Sequence, residues 1–260
     1  MAGKKKKKEA LPLSPWFHDI EEFYEFYSEC DRCQYSGTRT NVCLGEGNMD
    51  AAVMVIDQQP GQEEDETGRP LMGPVGELFV KFFAAMHSKS FPVDARFEEF
   101  TGAAAGKKRM TEKRFFAMRD IMLDHIYVTP ALMCYDPELR SEPPVGCIKA
   151  CHRRLANEIY LVDPMMLLIM GKSACKSLLS TRDQRSLAMT QRHGDDVIVH
   201  IEGQVLPSVP YTAIMSIHPS FVYRRGEVKG VWADRFFEDG LMKAFEIVYA
   251  SIDKAQGDSK

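Results

Sequence analysis

Residues 53–76 read VMVIDQQPGQEEDETGRPLMGPVG. Val53, Met54, Val55 and Ile56 make a short continuous apolar run suited to a buried strand, and the run stops at Asp57, Gln58, Gln59, Pro60 and Gly61, a polar segment with turn chemistry. A strand here delivers polar side chains to a sheet edge. An acidic loop follows from Glu63 to Glu66, punctuated by Gly68, Pro70, Gly73 and Gly76, before Glu77 to Met86 takes up helical spacing. Glycines and prolines this close together suit backbone that runs near a ligand, where side chains would obstruct the approach. An ordinary strand-to-helix connection would carry them too.

Outward from this stretch, the chain alternates. Tyr127 to Thr129 forms a second strand, Met165 to Met170 a third, Gly171 to Leu179 a helix, and Tyr211 to Ile217 a further buried strand that ends in His218, Pro219 and Ser220. Residues 181–209 are polar with a hairpin expected around Gly203, and Trp16 to Tyr27 and Trp232 to Ser251 read as amphipathic helices. Alternating strands and helices imply an α/β fold whose mainly parallel sheet is covered on both faces. Its pocket is expected at the strand carboxyl ends, where Asp57 to Gly61, Thr129 to Cys134 and His218 emerge. The Gly171-Lys172-Ser173 triplet resembles a phosphate loop but fails as one, because the glycine a Walker A motif needs five positions earlier is Met166.

At 260 residues and 45% hydrophobic content the chain can bury one large core. We expect a single domain over 16–255, preceded by a disordered basic tail over 1–15 that contains Lys4 to Lys8. No apolar run reaches the roughly 18 to 20 residues of a membrane span, and no signal segment follows the basic start, so a cytoplasmic monomer is the expectation. Net charge is only −4, so any DNA contact must use a local patch. One such patch follows a Gly102–Gly106 hinge, within an insertion over about 88–119: Lys107, Lys108 and Arg109 either track phosphates or begin a solvated helix.

Seven cysteines in an intracellular chain argue against a disulfide framework. Cys30 and Cys33 form a CxxC that suits zinc, an iron-sulfur cluster or a redox pair, and Cys134 and Cys151 supply a second pair of thiols far down the chain. Cys147, one helical turn before Cys151, is an alternative ligand.

Taken together, these features resemble the family 4 uracil-DNA glycosylases. Their first motif runs roughly GEAPGxxEDxxGxPFVGxxG, and Pro60, Gly61, Glu64, Asp65, Gly68, Pro70, Gly73 and Gly76 match it in register. His218-Pro219-Ser220 with Arg224 and Arg225 is similar to the second motif. The split Cys30, Cys33, Cys134 and Cys151 follows the layout of that family's [4Fe-4S] cluster, with zinc as the alternative metal. The resemblance implies a three-layer sandwich with a central, mainly parallel sheet of four to five strands, DNA as partner, Arg224 and Arg225 on the phosphates, and His218 on the flipped base.

The catalytic and reading positions depart from the pattern. Where the family has a water-assisting glutamate this chain has Gln58. The next position, an aspartate in family 1 enzymes, is Gln59. An amide cannot act as a general base, so Asp57 is the nearest candidate carboxylate. The phenylalanine that stacks on uracil is replaced by Leu71, and the asparagine that reads its edge by Pro130, contacts worth roughly 1 to 3 kcal/mol each. With Pro60, Gly61, Leu71, Pro130 and Ser220 around the base, the expectation is a DNA glycosylase acting on a different, bulkier modified pyrimidine of the kind phage genomes carry. A non-catalytic cluster-bearing DNA-binding module and conventional repair of uracil or other deaminated bases are the competing readings.

Overall fold

A computed structural model describes residues 15–89, 94–100, 109–138, 142–179, 189–201, 209–225 and 230–257. The basic tail, the Gly102–Gly106 hinge with Lys107 and Lys108, and the turn around Gly203 lie outside the described residues. Among the described residues, six strands form one sheet in the order β1-β3-β2-β4-β6-β5. They are β1 (Glu46–Gly47), β2 (Val53–Asp57), β3 (Ile126–Pro130), β4 (Met166–Met170), β5 (Asp196–Ile201) and β6 (Val209–Ser216). The four inner strands are parallel, and β1 and β5 pair antiparallel at the two edges. The sheet is thus wider than the four to five strands expected. The additional edges are a two-residue strand and a strand alternating buried and exposed residues, neither of which shows the continuous apolar run of an inner strand.

Among the described residues, ten α-helices flank the sheet: α1 (Ile20–Ser28), α2 (Gln62–Thr67), α3 (Pro74–Lys89), α4 (Glu112–Leu123), α5 (Val145–Val162), α6 (Lys172–Leu178), α7 (Met189–Arg192), α8 (Pro219–Arg224), α9 (Val231–Arg235) and α10 (Lys243–Gly257). Because successive strand residues face opposite ways, the β2 run divides cleanly. Val53 and Val55 join Phe79, Phe83, Met122, Phe236 and Phe245 in the core under α3, α4 and α10. Met54 and Ile56 join Phe23, Tyr27, Leu155, Ile159 and Cys175 under α1, α5 and α6. Three layers result. Phe79 and Phe83 are fully buried, and truncating either to alanine should cost about 3–5 kcal/mol. Between α9 and α10 the final helix carries a π-helical segment, Phe236–Met242. Among the described residues no helix is long and apolar enough to cross a membrane.

Candidate active site

The four parallel strands point their carboxyl ends the same way, and a cavity of about 1030 Å³ opens there. Asp57, the last residue of β2, lies in its floor, and His218 reaches it from the loop after β6. The two are joined from His218 Nε2 to Asp57 Oδ1 at 2.5 Å. Hydrogen bonding settles the tautomer: His218 Nδ1 accepts the Ser220 backbone N–H at 3.0 Å, so the proton sits on Nε2 and is donated to Asp57. Arg224 Nη1 donates to the Ser220 hydroxyl at 3.0 Å, which leaves that hydroxyl's own proton for His218 Nδ1 at 2.7 Å. Asp57 Oδ1 also accepts the Gln58 N–H at 2.8 Å.

The two glutamines have different surroundings. Gln58 Oε1 accepts the Ser173 N–H at 3.1 Å at the start of α6. Its side chain lies over Gly171, where an added Cβ would come within 2.5 Å of Gln58 Cδ. Gln59 Oε1 is buried and has no hydrogen-bond partner among the described residues.

The acidic residues of the first motif are braces. Glu64 accepts N–H groups from Gly61 at 3.0 Å, Met72 at 3.0 Å and Gly73 at 2.9 Å, so one carboxylate ties the loop before α2 to the loop after it. Asp65 accepts the Thr40 N–H with both oxygens at 2.9 Å. Leu71 is buried with φ of 54°, a left-handed conformation that a leucine rarely adopts, and its carbonyl would lie 2.1 Å from a Cβ at Gly76. Glycine at 76 lets the chain turn back on itself beneath the cavity.

The wall facing this floor comes from the insertion. Met110 N–H donates to Glu77 Oε1 at 2.7 Å, and Lys81 Nζ donates to the same oxygen at 2.7 Å. Burial works to raise the Glu77 carboxyl, yet these donors hold it below the usual carboxylate range. Arg109 pairs with Glu77 at 3.4 Å and Glu63 at 3.7 Å, so it stands in the cavity wall, engaged with acids. Phe115 and Phe116 of α4 complete that wall. Pro60, Gly61, Leu71 and Ser220 line the cavity with Asp57, Gln58, Gln59 and His218. Pro130 does not; it sits beside Asp57 in the sheet register, and its carbonyl accepts from Arg154 Nη2. Arg224 and Arg225 are exposed at the end of α8, and the Arg225 guanidinium lies 4.6 Å from the Phe221 ring centroid.

On the other side of β3 the thiols converge. All seven cysteines are free. Cys33 hydrogen-bonds the Cys147 side chain, and both Cys134 and Cys151 lie within electrostatic reach of Cys30 and Cys33. Burial above all pushes the Cys134 thiol up to about 12, against the pull of Arg39, whose Nη1 lies 3.7 Å from its sulfur. The Tyr35 hydroxyl, buried beside Cys147 and Cys33, has no hydrogen-bond partner among the described residues. Among the described residues no three His, Cys, Asp or Glu side chains are gathered tightly enough for one metal ion.

Several working residues were not foreseen from sequence. Arg154 is fully buried, paired with Glu158 and bonded to the Ala131 carbonyl at 3.0 Å. Its signal was an arginine four residues before a glutamate on one helix. His193 accepts the Ile217 N–H on Nδ1 at 3.1 Å and donates from Nε2 to the Arg235 carbonyl at 2.7 Å, bracing the residue just before His218. Nothing local announces it.

Residues 44–239 match the family model described as the uracil DNA glycosylase superfamily. The chain is 24% identical to the type-4 uracil-DNA glycosylase of Pyrobaculum aerophilum over 226 residues, covering 86% of this chain and 95% of that one. It is also 24% identical to that of Thermotoga maritima, over 78% of this chain and 85% of the relative. To that of Archaeoglobus fulgidus it is 21% identical, over 85% and 92%.

Proposed function

The chain belongs to the uracil DNA glycosylase superfamily and is a DNA glycosylase, and on that premise we propose that it hydrolyses the N-glycosidic bond of a flipped modified pyrimidine bulkier than uracil, of the kind phage genomes carry. The observation that carries this reading is the pairing of Asp57 with His218 in the floor of a cavity of about 1030 Å³. That volume matches the upper end of pockets for drug-sized ligands, about 300–1,000 Å³, and exceeds what a lone pyrimidine fills. Restriction of phage with modified DNA is the role such a substrate suggests.

Each residue then has a task. Asp57 has Oδ2 without a partner among the described residues, so this oxygen takes the proton from the attacking water while Oδ1 stays anchored. His218, which accepts the Ser220 N–H on Nδ1 and donates from Nε2, turns that donor onto the departing base and stabilises the charge that develops there. Gln58 holds the floor through Ser173, and Pro60, Gly61, Leu71 and Ser220 shape the walls. Arg224 and Arg225 meet phosphates outside the cavity.

A [4Fe-4S] cluster on Cys30, Cys33, Cys134 and Cys151 accompanies this reading. Zinc at about 2.3 Å from each sulfur would need the thiols gathered more tightly than a cluster does. The mutual nearness of these thiols and the orphaned Tyr35 hydroxyl beside them support a bound group here. Held by these residues, such a group would serve structurally, linking the turn after α1, the loop after β3 and α5 behind the site.

Incubating pure protein with duplexes bearing uracil, hypoxanthine, hydroxymethylcytosine or glucosylated hydroxymethylcytosine, then cleaving abasic sites with alkali, tests the reading. Release of a bulky cytosine in preference to uracil is expected. Preference for uracil would restore conventional repair, and equal binding with no release would leave a DNA-binding module.

A further inference from the structure

Among the described residues, the cavity wall contains two aromatic side chains, Phe115 and Phe116, both on α4. They do different things. Phe115, Met118, Ile121 and Met122 follow helical spacing and are buried in the core, so they hold α4 against the sheet. Phe116 lies one residue off that stripe, half-buried at the core's margin, with its ring centroid 5.5 Å from that of Phe115. Core packing accounts for Phe115 and leaves part of the Phe116 ring open to the cavity.

We infer that Phe116 is the plate on which the extruded base stacks. The inference rests on the base-flipping reading above. An extruded base exchanges its neighbours in the duplex for a new π-surface, and every base offers a face that an aromatic ring can cover. Most other planar groups of the cavity are committed, and the Gln59 amide, whose Oε1 has no partner among the described residues, offers a polar group rather than an aromatic face. Arg109 is engaged by Glu77 and Glu63, the His218 imidazole is held at both nitrogens, and the Gln58 amide is drawn to α6. Leu71 offers no ring. The wall that carries Phe116 is itself fixed, because Met110 and Lys81 converge on the buried Glu77. Stacking from α4 also explains how a site without an aromatic residue in its first motif could hold a base larger than uracil: the plate comes from a different element than the Asp57 loop, in a cavity of about 1030 Å³ that both line.

The test compares Phe116→Ala, Phe116→Leu and Phe116→Tyr on a duplex carrying 2-aminopurine beside glucosylated hydroxymethylcytosine. Fluorescence reports extrusion and single-turnover kinetics report excision. Phe116 is half-exposed, so the three variants should melt close to the wild type. Alanine and leucine should each raise the protein concentration needed for half-maximal extrusion on the order of 10- to 100-fold, and tyrosine should keep wild-type behaviour. The maximal rate of bond cleavage should change much less. If the wild type extrudes the base and alanine or leucine does so equally well, this inference falls and the glycosylase reading stands. If the wild type extrudes none of the bases on the panel, the functional reading falls and carries this inference with it.

Discussion

Asp57 and His218 meet at 2.5 Å although they leave strands that are not neighbours: β4 lies between β2 and β6. With strands about 4.8 Å apart, the two side chains span roughly 10 Å above the end of β4. Changing either should therefore alter chemistry while leaving the DNA-binding surface intact. Asp57→Asn and His218→Ala should each slow single-turnover excision by a factor on the order of 10² or more. Duplex affinity measured by anisotropy should be unchanged. Full activity in Asp57→Asn would remove the general base.

Arg224 and Arg225 provide an electrostatic test independent of catalysis. Reversing both to glutamate should weaken duplex binding strongly and lower the slope of log K against log salt by about 2, since each phosphate contact releases about 0.9 counterion. Arg225 stands over Phe221, so its side chain is presented in a defined direction. An unchanged slope would move the phosphate contacts elsewhere.

His193 makes a pH prediction. Burial first of all lowers its pKa below the ordinary value near 6.5, so it is neutral in the folded protein with Nδ1 free to accept from Ile217. A histidine with a depressed folded pKa contributes stability that is present above the unfolded pKa and is lost as pH falls through the folded one. The His218 loop should therefore loosen below about pH 6.5. Arg235, Asp239 and Asp195 are the charged groups that act on His193. The test is to follow melting temperature from pH 8 to 5. His193→Asn, whose amide oxygen can take the Ile217 N–H without titrating, should lose part of the wild type's acid-side decline. Identical curves would exclude His193 as the cause.

The thiols separate ligands from neighbours. Serine at Cys30, Cys33, Cys134 or Cys151 should leave anaerobically purified protein short of iron and poorly soluble, whereas Cys147→Ser should keep about four irons per chain and absorption near 400 nm. Iron loss in Cys147→Ser with full retention in Cys151→Ser would exchange their roles. Colourless wild-type protein holding one zinc would remove the cluster.

Much of the scaffold was legible before any coordinates. The apolar runs at Val53, Met165 and Tyr211 became β2, β4 and β6, because a strand buried on both faces has no choice but to be continuously apolar. Strands at the rim have half their residues in water, and Glu46–Gly47 is too short to carry any periodicity. Around the site, Asp57, Leu71 and His218 announced themselves through motif spacing. Glu77, Phe116 and His193 did not, since each acts through a partner at least 24 residues away or through a cavity that exists only once the helices have docked. The first motif's acids could be found but not interpreted. Glu64 looks like chemistry in one dimension and proves to be a clasp in three.

Gly171 begins the helix after β4, under the span between Asp57 and His218, with φ of 87° and Gln58 folded across it. An atom that is missing here sets the clearance of the whole floor. A methyl group at 171 would press on the Gln58 side chain and pull its Oε1 away from the Ser173 N–H, and because Gln58 directly follows Asp57, the floor beside the carboxylate would lose its brace without any loss of charge. The spacing between the two functional side chains is thus held like the gap of a spark plug, by the absence of material beneath it, and a change to alanine could silence the site without touching any group that reacts.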